Sequence, residues 1–113
     1  MKRDMDLVRL ILKKIEMDEP LKSIESFTQQ QVDYHVAIMI EAHLVTGITG
    51  SSDNSTCVDF AFPNRMTWQG HDFLQAAKDD TKWKKAKDYI SKNALPLTVT
   101  VFQEVLHKFS PIP

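Results

Sequence analysis

The chain holds one cysteine, Cys57, and three glycines, Gly47, Gly50 and Gly70. A single thiol cannot close an intramolecular disulfide, which excludes the crosslinked frameworks of small secreted domains and points to a reducing compartment. Three scattered glycines cannot build a glycine-rich phosphate loop. Long apolar runs are missing as well. The longest, 36–40, is far short of the roughly 20 residues that span a bilayer. Near the amino terminus Asp4, Asp6 and Arg9 interrupt the apolar core a signal peptide needs. The expectation is a cytoplasmic protein with nothing removed, no membrane partner and no cofactor.

The most informative absence concerns one sign of charge. Between Lys22 and Arg65 there is no lysine or arginine, while Glu25, Asp33, Glu41, Asp53 and Asp59 all fall in that stretch. The net charge of the whole chain is −1, so no overall basic field draws in a polyanion. What is present is ordinary globular composition, 42% apolar and 26% charged over 113 residues, enough for one domain with a real core.

Hydrophobic spacing orders the elements. Asp4 or Asp6 can cap a first helix whose stripe is Val8, Ile11, Leu12 and Ile15, ending at Asp18-Glu19-Pro20. Leu21 to Phe27 alternates loosely and suits a short strand. Thr28 with Gln31 forms a capping box for a second helix, striped by Val32, Val36, Met39 and Ile40 and stopping near Ala42 or His43. Leu44–Thr49 and Thr56–Phe62 flank a polar turn cluster, 50–55, and read as a hairpin. Val58, Phe60 and Phe62 are expected on its buried face, with Pro63-Asn64 breaking the second strand. Thr67 caps a helix to about Asp79, and Asp80-Thr81 starts another carrying Trp83, Ala86, Lys87 and Ile90. Thr98–Phe109 is rich in β-branched residues, but Val101, Phe102, Val105, Leu106 and Phe109 follow the helical period, which predicts a helix.

The implied fold is α+β and winged-helix-like: helix, short strand, helix, β-hairpin wing, then additional C-terminal helices. We expect a single domain over 1–113, with residues 1–66 as the winged-helix-like core and 67–113 packed on it. Several segments support this order. Residues 1–9, Val32-Asp33-Tyr34-His35, residues 67–74 (Thr67 to Leu74) and Asp79-Asp80-Thr81-Lys82-Trp83 resemble the domain of unknown function 2513 family of bacteria and their phages. The resemblance spans about residues 1–90 and is most specific around Trp68 and His71. It implies a winged-helix-like fold and a bacterial or prophage setting, and it implies no activity. One departure stands at His43, where such folds commonly carry glycine because the residue past a helix end takes a left-handed conformation.

A winged helix raises the question of DNA. The second helix would be the reading helix and the hairpin tip the wing, and both are acidic. Phosphate neutralisation and guanine readout rest on Lys and Arg, so DNA is disfavoured on that face. A helix-turn-helix also needs a supporting helix before the reading helix, and the short segment ahead of Thr28 leaves room for one turn at most. Lysines gather elsewhere: Lys78, Lys82, Lys84, Lys85, Lys87 and Lys92, beside Trp83 and Tyr89. They read either as a non-specific phosphate contact or as the solvated face of an amphipathic helix diluted by Asp79, Asp80 and Asp88.

No metal site is expected, since His35, His43, His71 and His107 lack the i, i+4 partner a zinc site uses and there is no cysteine pair. His35 reads as a half-buried hydrogen-bonding residue. His71, in a first helical turn beside Gly70, reads either as a general base or anion contact or as a structural residue bonded to a neighbouring carbonyl. In the structural reading Gly70 lets the helix approach the hairpin while Trp68 and Phe73 fill the core. Tyr34, His35, Trp68, Gly70, His71, Phe73 and Trp83 are therefore assigned structural roles, and Cys57 that of a small buried hydrophobe. No nucleophile is tied to His71 by spacing, so no enzyme is expected. An enzyme would require a pocket joining His71 to an acidic partner. The expected role is protein–protein interaction or self-association, with an unknown protein or a second copy as partner. A carboxy-terminal stripe from Val101 to Phe109 could serve as a dimer seam or cap the chain's own core. The alternative is a DNA-binding regulator acting through Lys78–Lys92.

Overall fold

The structure is a computed structural model and describes residues 2–22, 24, 26–51 and 58–109. Among them are five helices and one two-stranded antiparallel sheet, so the chain is α+β. It forms two compact units, Met1–His71 and Asp72–Pro113. Among the described residues no helix is long and apolar enough to cross a membrane.

The first unit opens with α1 (Met5–Glu16), capped by Asp4, whose carboxylate accepts from the Asp6 and Leu7 N–H groups. These are donors that a helix start otherwise leaves without partners. Its Leu7, Val8, Ile11 and Leu12 are buried at helical spacing, and each such side chain contributes on the order of 2 kcal/mol. Helix α2 (Gln29–Glu41) starts at the expected capping box: Thr28 accepts from the Gln31 N–H, and Gln31 Oε1 accepts from the Thr28 N–H. Val32, His35, Val36, Ala37 and Met39 are its buried residues.

No strand lies between these helices among the described residues. At the described positions of the expected Leu21–Phe27 strand the chain is turn, bend or irregular, with Asp18 and Ser26 at positive φ. A strand there would have no partner, because the sheet is completed by two later segments; among the described residues of this link Ile24 alone is buried. Among the described residues of this link there is no helix.

Helix α2 ends at Ala42, and His43 has φ 61, the left-handed conformation anticipated there. The chain then enters β1 (Val45–Gly50), which pairs antiparallel with β2 (Phe60–Met66). Two expectations fail at β2. Pro63-Asn64 does not end the strand, because the register slips between Thr46 and Gly47 so that Gly47 faces Pro63 while Thr46 faces Arg65. Asn64 is the extra residue of a bulge, a place where a strand tolerates proline's missing donor. The buried face is also the opposite one: Ala61 and Met66 point inward, while Phe60 and Phe62 face solvent. A one-residue change of phase moves every side chain to the other face. The tip of the hairpin, including Asp53 and Cys57, lies outside the described residues.

Helix α3 (Trp68–Ala77) begins in the first unit and ends in the second, two residues short of the expected Asp79. Thr67 starts it, its Oγ accepting from the Gly70 N–H while facing the His43 and Leu44 carbonyls. In the second unit α4 (Asp80–Lys92) is capped by Asp79, one residue earlier than expected, and α5 (Val99–Lys108) by Thr98. Trp83 stacks on Phe102 at 4.7 Å between ring centroids and meets Phe73 edge-on at 6.2 Å. Phe102, Val105 and Leu106 are buried within the chain, so the α5 stripe covers the protein's own core.

Candidate functional site

The bulge in β2 decides what the first unit shows to solvent. Ile48 on β1 and Phe62 on β2 are register partners, and Phe60 lies two residues along on the same outward face. Their exposures are 60%, 59% and 40%. The Phe60 and Phe62 rings lie 5.5 Å apart, tilted by 31°. Neither β1 nor the 60–63 portion of β2 contains a charged residue. Contiguous exposed apolar surface of this kind marks contact sites on soluble proteins.

The histidines occupy two different environments. His35 is buried at 2% exposure, deeper than the half-buried position expected. Its Nε2 accepts from the Asp4 N–H at 2.8 Å, and its Nδ1 lies 2.7 Å from the Gln31 carbonyl. Since a backbone N–H can only donate, the ring proton belongs on Nδ1, donated to Gln31. Both nitrogens are used, and Tyr34 touches the ring edge-on.

His71 is exposed. No hydrogen bond from its ring to a carbonyl is present among the described residues, contrary to the expected structural role. It lines an open pocket with Trp68, Arg65, Asn64, Glu16 and Asp18. His71 and two carboxylates thus share one concavity, the arrangement an enzyme reading requires. No serine, threonine, cysteine or lysine lines it, and no hydrogen bond joins the His71 ring to either carboxylate among the described residues.

Trp68 does not fill the core; it is 81% exposed. The buried residues of α3 are Gly70, Phe73, Leu74 and Ala77, and at about 3.6 residues per turn Trp68 falls on the opposite side. A Cβ at Gly70 would stand 2.0 Å from the Leu44 carbonyl oxygen, so only glycine allows this approach of α3 to the residue before β1.

Lys84, Lys85, Lys87 and Lys92 are exposed along α4, with Lys78 exposed just before it and Lys82 half-buried. Trp83, Ala86 and Ile90 form the buried stripe, and Asp88 sits among the outward lysines. Lys108 turns to Tyr89, donating to its hydroxyl at 2.9 Å. Among the described residues no group of three or more His, Cys, Asp or Glu side chains is placed to hold a metal ion.

The residues that sequence reasoning did not single out are Ile48, Phe60 and Phe62 as surface, and Asp18, Asn64 and Arg65 around His71. The available signal was Pro63 in an otherwise good strand, which points to an edge or a bulge and hence to a shift of face.

The fold and surface define a small α+β protein built around a capped helix pair and a hairpin with an apolar outer face. The chain belongs to the domain of unknown function 2513 family, whose model, described as "Hypothetical protein (DUF2513)", matches residues 2–96. It is 31% identical over 111 residues to a protein of Haemophilus influenzae described as "Uncharacterized protein", covering 93% of this chain and 92% of that one. No solved structure matches the chain.

Proposed function

We propose that this protein is a non-enzymatic, winged-helix-like association module that pairs with a second copy of itself through the outer face of its hairpin. The observation that carries the reading is the uncharged cluster of Ile48, Phe60 and Phe62. A two-fold interface brings the same patch of each subunit together, so any net charge in the patch repels its own copy. This patch has none, and its aromatic rings suit the desolvated centre of an interface. For the non-enzymatic part, no serine, threonine, cysteine or lysine lines the His71 pocket among the described residues. The winged-helix comparison rests on the order α1, α2 and hairpin, followed by helices.

Sedimentation velocity over a concentration series tests the pairing. The wild type is expected to dimerise, and Ile48→Asp and Phe62→Asp to remain monomeric with unchanged circular dichroism. A wild type that stays monomeric at the highest attainable concentration refutes it.

A DNA-binding role through Lys78–Lys92 ranks second. Exposed lysines favour it, and Asp88 among them weighs against it. It requires duplex binding that weakens steeply with salt and is abolished by reversing Lys82, Lys84 and Lys85 together.

A further inference from the structure

We infer that the open pocket beside Trp68 binds a small aromatic anion, with its ring on the indole and its oxyanion on the Arg65 guanidinium. The pocket is about 490 Å³, formed where the end of α1 meets the end of β2 and the start of α3. This site is separate from the hairpin face and does not rest on self-association.

Three features carry the inference. Trp68 leaves most of its indole in water, whereas Trp83 is 4% exposed. Large aromatic surface is favoured inside a core, and a pocket that exposes one offers a stacking platform. Arg65 stands beside it, placed by the bulge at Asn64. Its guanidinium has no hydrogen bond or ion pair among the described residues, although Glu16 and Asp18 line the same pocket. An exposed planar fork of N–H donors without a protein partner, next to an indole, matches an oxyanion attached to a ring. Finally, the Asn64 amide and the His71 imidazole add two groups able to donate to that oxyanion, again without partners among the described residues.

The carboxylates of Glu16 and Asp18 restrict the ligand further. A bare polyanion would be repelled by them, whereas a ligand that carries its anionic group at one end of an uncharged ring can keep that charge at Arg65. The shared chemistry, ring plus oxyanion, exists in nucleoside monophosphates and in aromatic carboxylates. Adenosine monophosphate and phenylacetate are therefore the two probes.

The two indole N–H resonances give the readout in a two-dimensional nitrogen–proton spectrum, with Trp68→Phe identifying the Trp68 signal. At least one probe should shift that signal saturably in the millimolar range and leave Trp83 unmoved. Saturation by adenosine monophosphate alone assigns the phosphate source, and by phenylacetate alone the carboxylate source. Adenosine and inorganic phosphate, each carrying half of the chemistry, should bind about tenfold more weakly or not at all. Arg65→Gln should weaken the effective probe about tenfold while preserving the rest of the spectrum, and Arg65→Lys should restore only part. The inference is overturned if neither probe gives a saturable Trp68 shift, if Arg65→Gln binds as well as the wild type, or if shifts map to Lys78–Lys92 instead.

Discussion

The backbone N–H of Asp4 donates to Nε2 of His35 at 2.8 Å across 31 positions of sequence, so the capping residue of α1 is itself held by a buried ring of α2. The other ring nitrogen is bonded one helical turn back, to the Gln31 carbonyl. Two helix starts are thereby linked through one imidazole. The Asp4 carboxylate serves its own helix; the Asp4 amide serves the contact between helices.

That division predicts unequal effects of two substitutions. Asp4→Ala removes the cap but keeps the amide bond to His35, and should cost about 1 kcal/mol. His35→Ala leaves the Asp4 N–H without its acceptor, removes the bond to Gln31 and opens a cavity, and should cost about 3 kcal/mol. Urea denaturation of both variants checks the order. Equal losses would mean that the ring contributes nothing beyond volume.

His43 is exposed and sits at φ 61. A side chain at this backbone angle is strained, and glycine relieves the strain while increasing the entropy of the unfolded chain. The first effect should exceed the second, so His43→Gly should stabilise by about 0.5–1 kcal/mol. A thermal melt a few degrees higher is the expected outcome, and an unchanged or lower midpoint contradicts the strain.

At Gly70 two effects compete. Alanine is the better helix former by about 1 kcal/mol. Its methyl carbon, however, would stand 2.0 Å from the Leu44 carbonyl oxygen, a backbone atom that cannot rotate away. The clash dominates. Gly70→Ala should destabilise by about 2–3 kcal/mol, as overpacking does, and calorimetry should show a lower midpoint.

Phe62 and Trp83 should respond oppositely to truncation. Phe62→Ser removes an outward ring and should leave stability within about 0.5 kcal/mol of the wild type, while lowering self-association. Trp83→Ala removes the stack on Phe102 and the edge contact with Phe73 and should cost about 3–5 kcal/mol. Acrylamide quenching separates the two tryptophans without mutation of the core: Trp68→Phe should abolish most of the accessible fluorescence.

Helix starts were legible because their causes are local. The Thr28–Gln31 capping box and the Asp4 cap, one of two candidates at that start, each satisfy donors within three residues, and no distant contact is needed to specify them. The last helix formed despite its β-branched content because Phe102, Val105 and Leu106 share one face. The left-handed turn at His43 was likewise visible, since a helix end followed by a strand requires a reversal at a known position.

The hairpin's phase was a different matter. Alternation along Val58, Phe60 and Phe62 shows that two faces exist, yet it does not say which one meets α2. That choice was made by pairing with β1, where one extra residue at Asn64 turns Ala61 and Met66 inward and leaves the phenylalanines outside. Trp68 follows the same logic, because the burial of Gly70 against Leu44 sets the rotation of α3 and carries the indole to its far side. Caps and periodicities are properties of neighbouring residues, so the amino-acid order placed the helix starts to within a residue or two. The solvent-facing aromatic face and the pocket that joins Arg65, Trp68 and His71 depend on strand register and helix rotation, which arise only when distant segments pack.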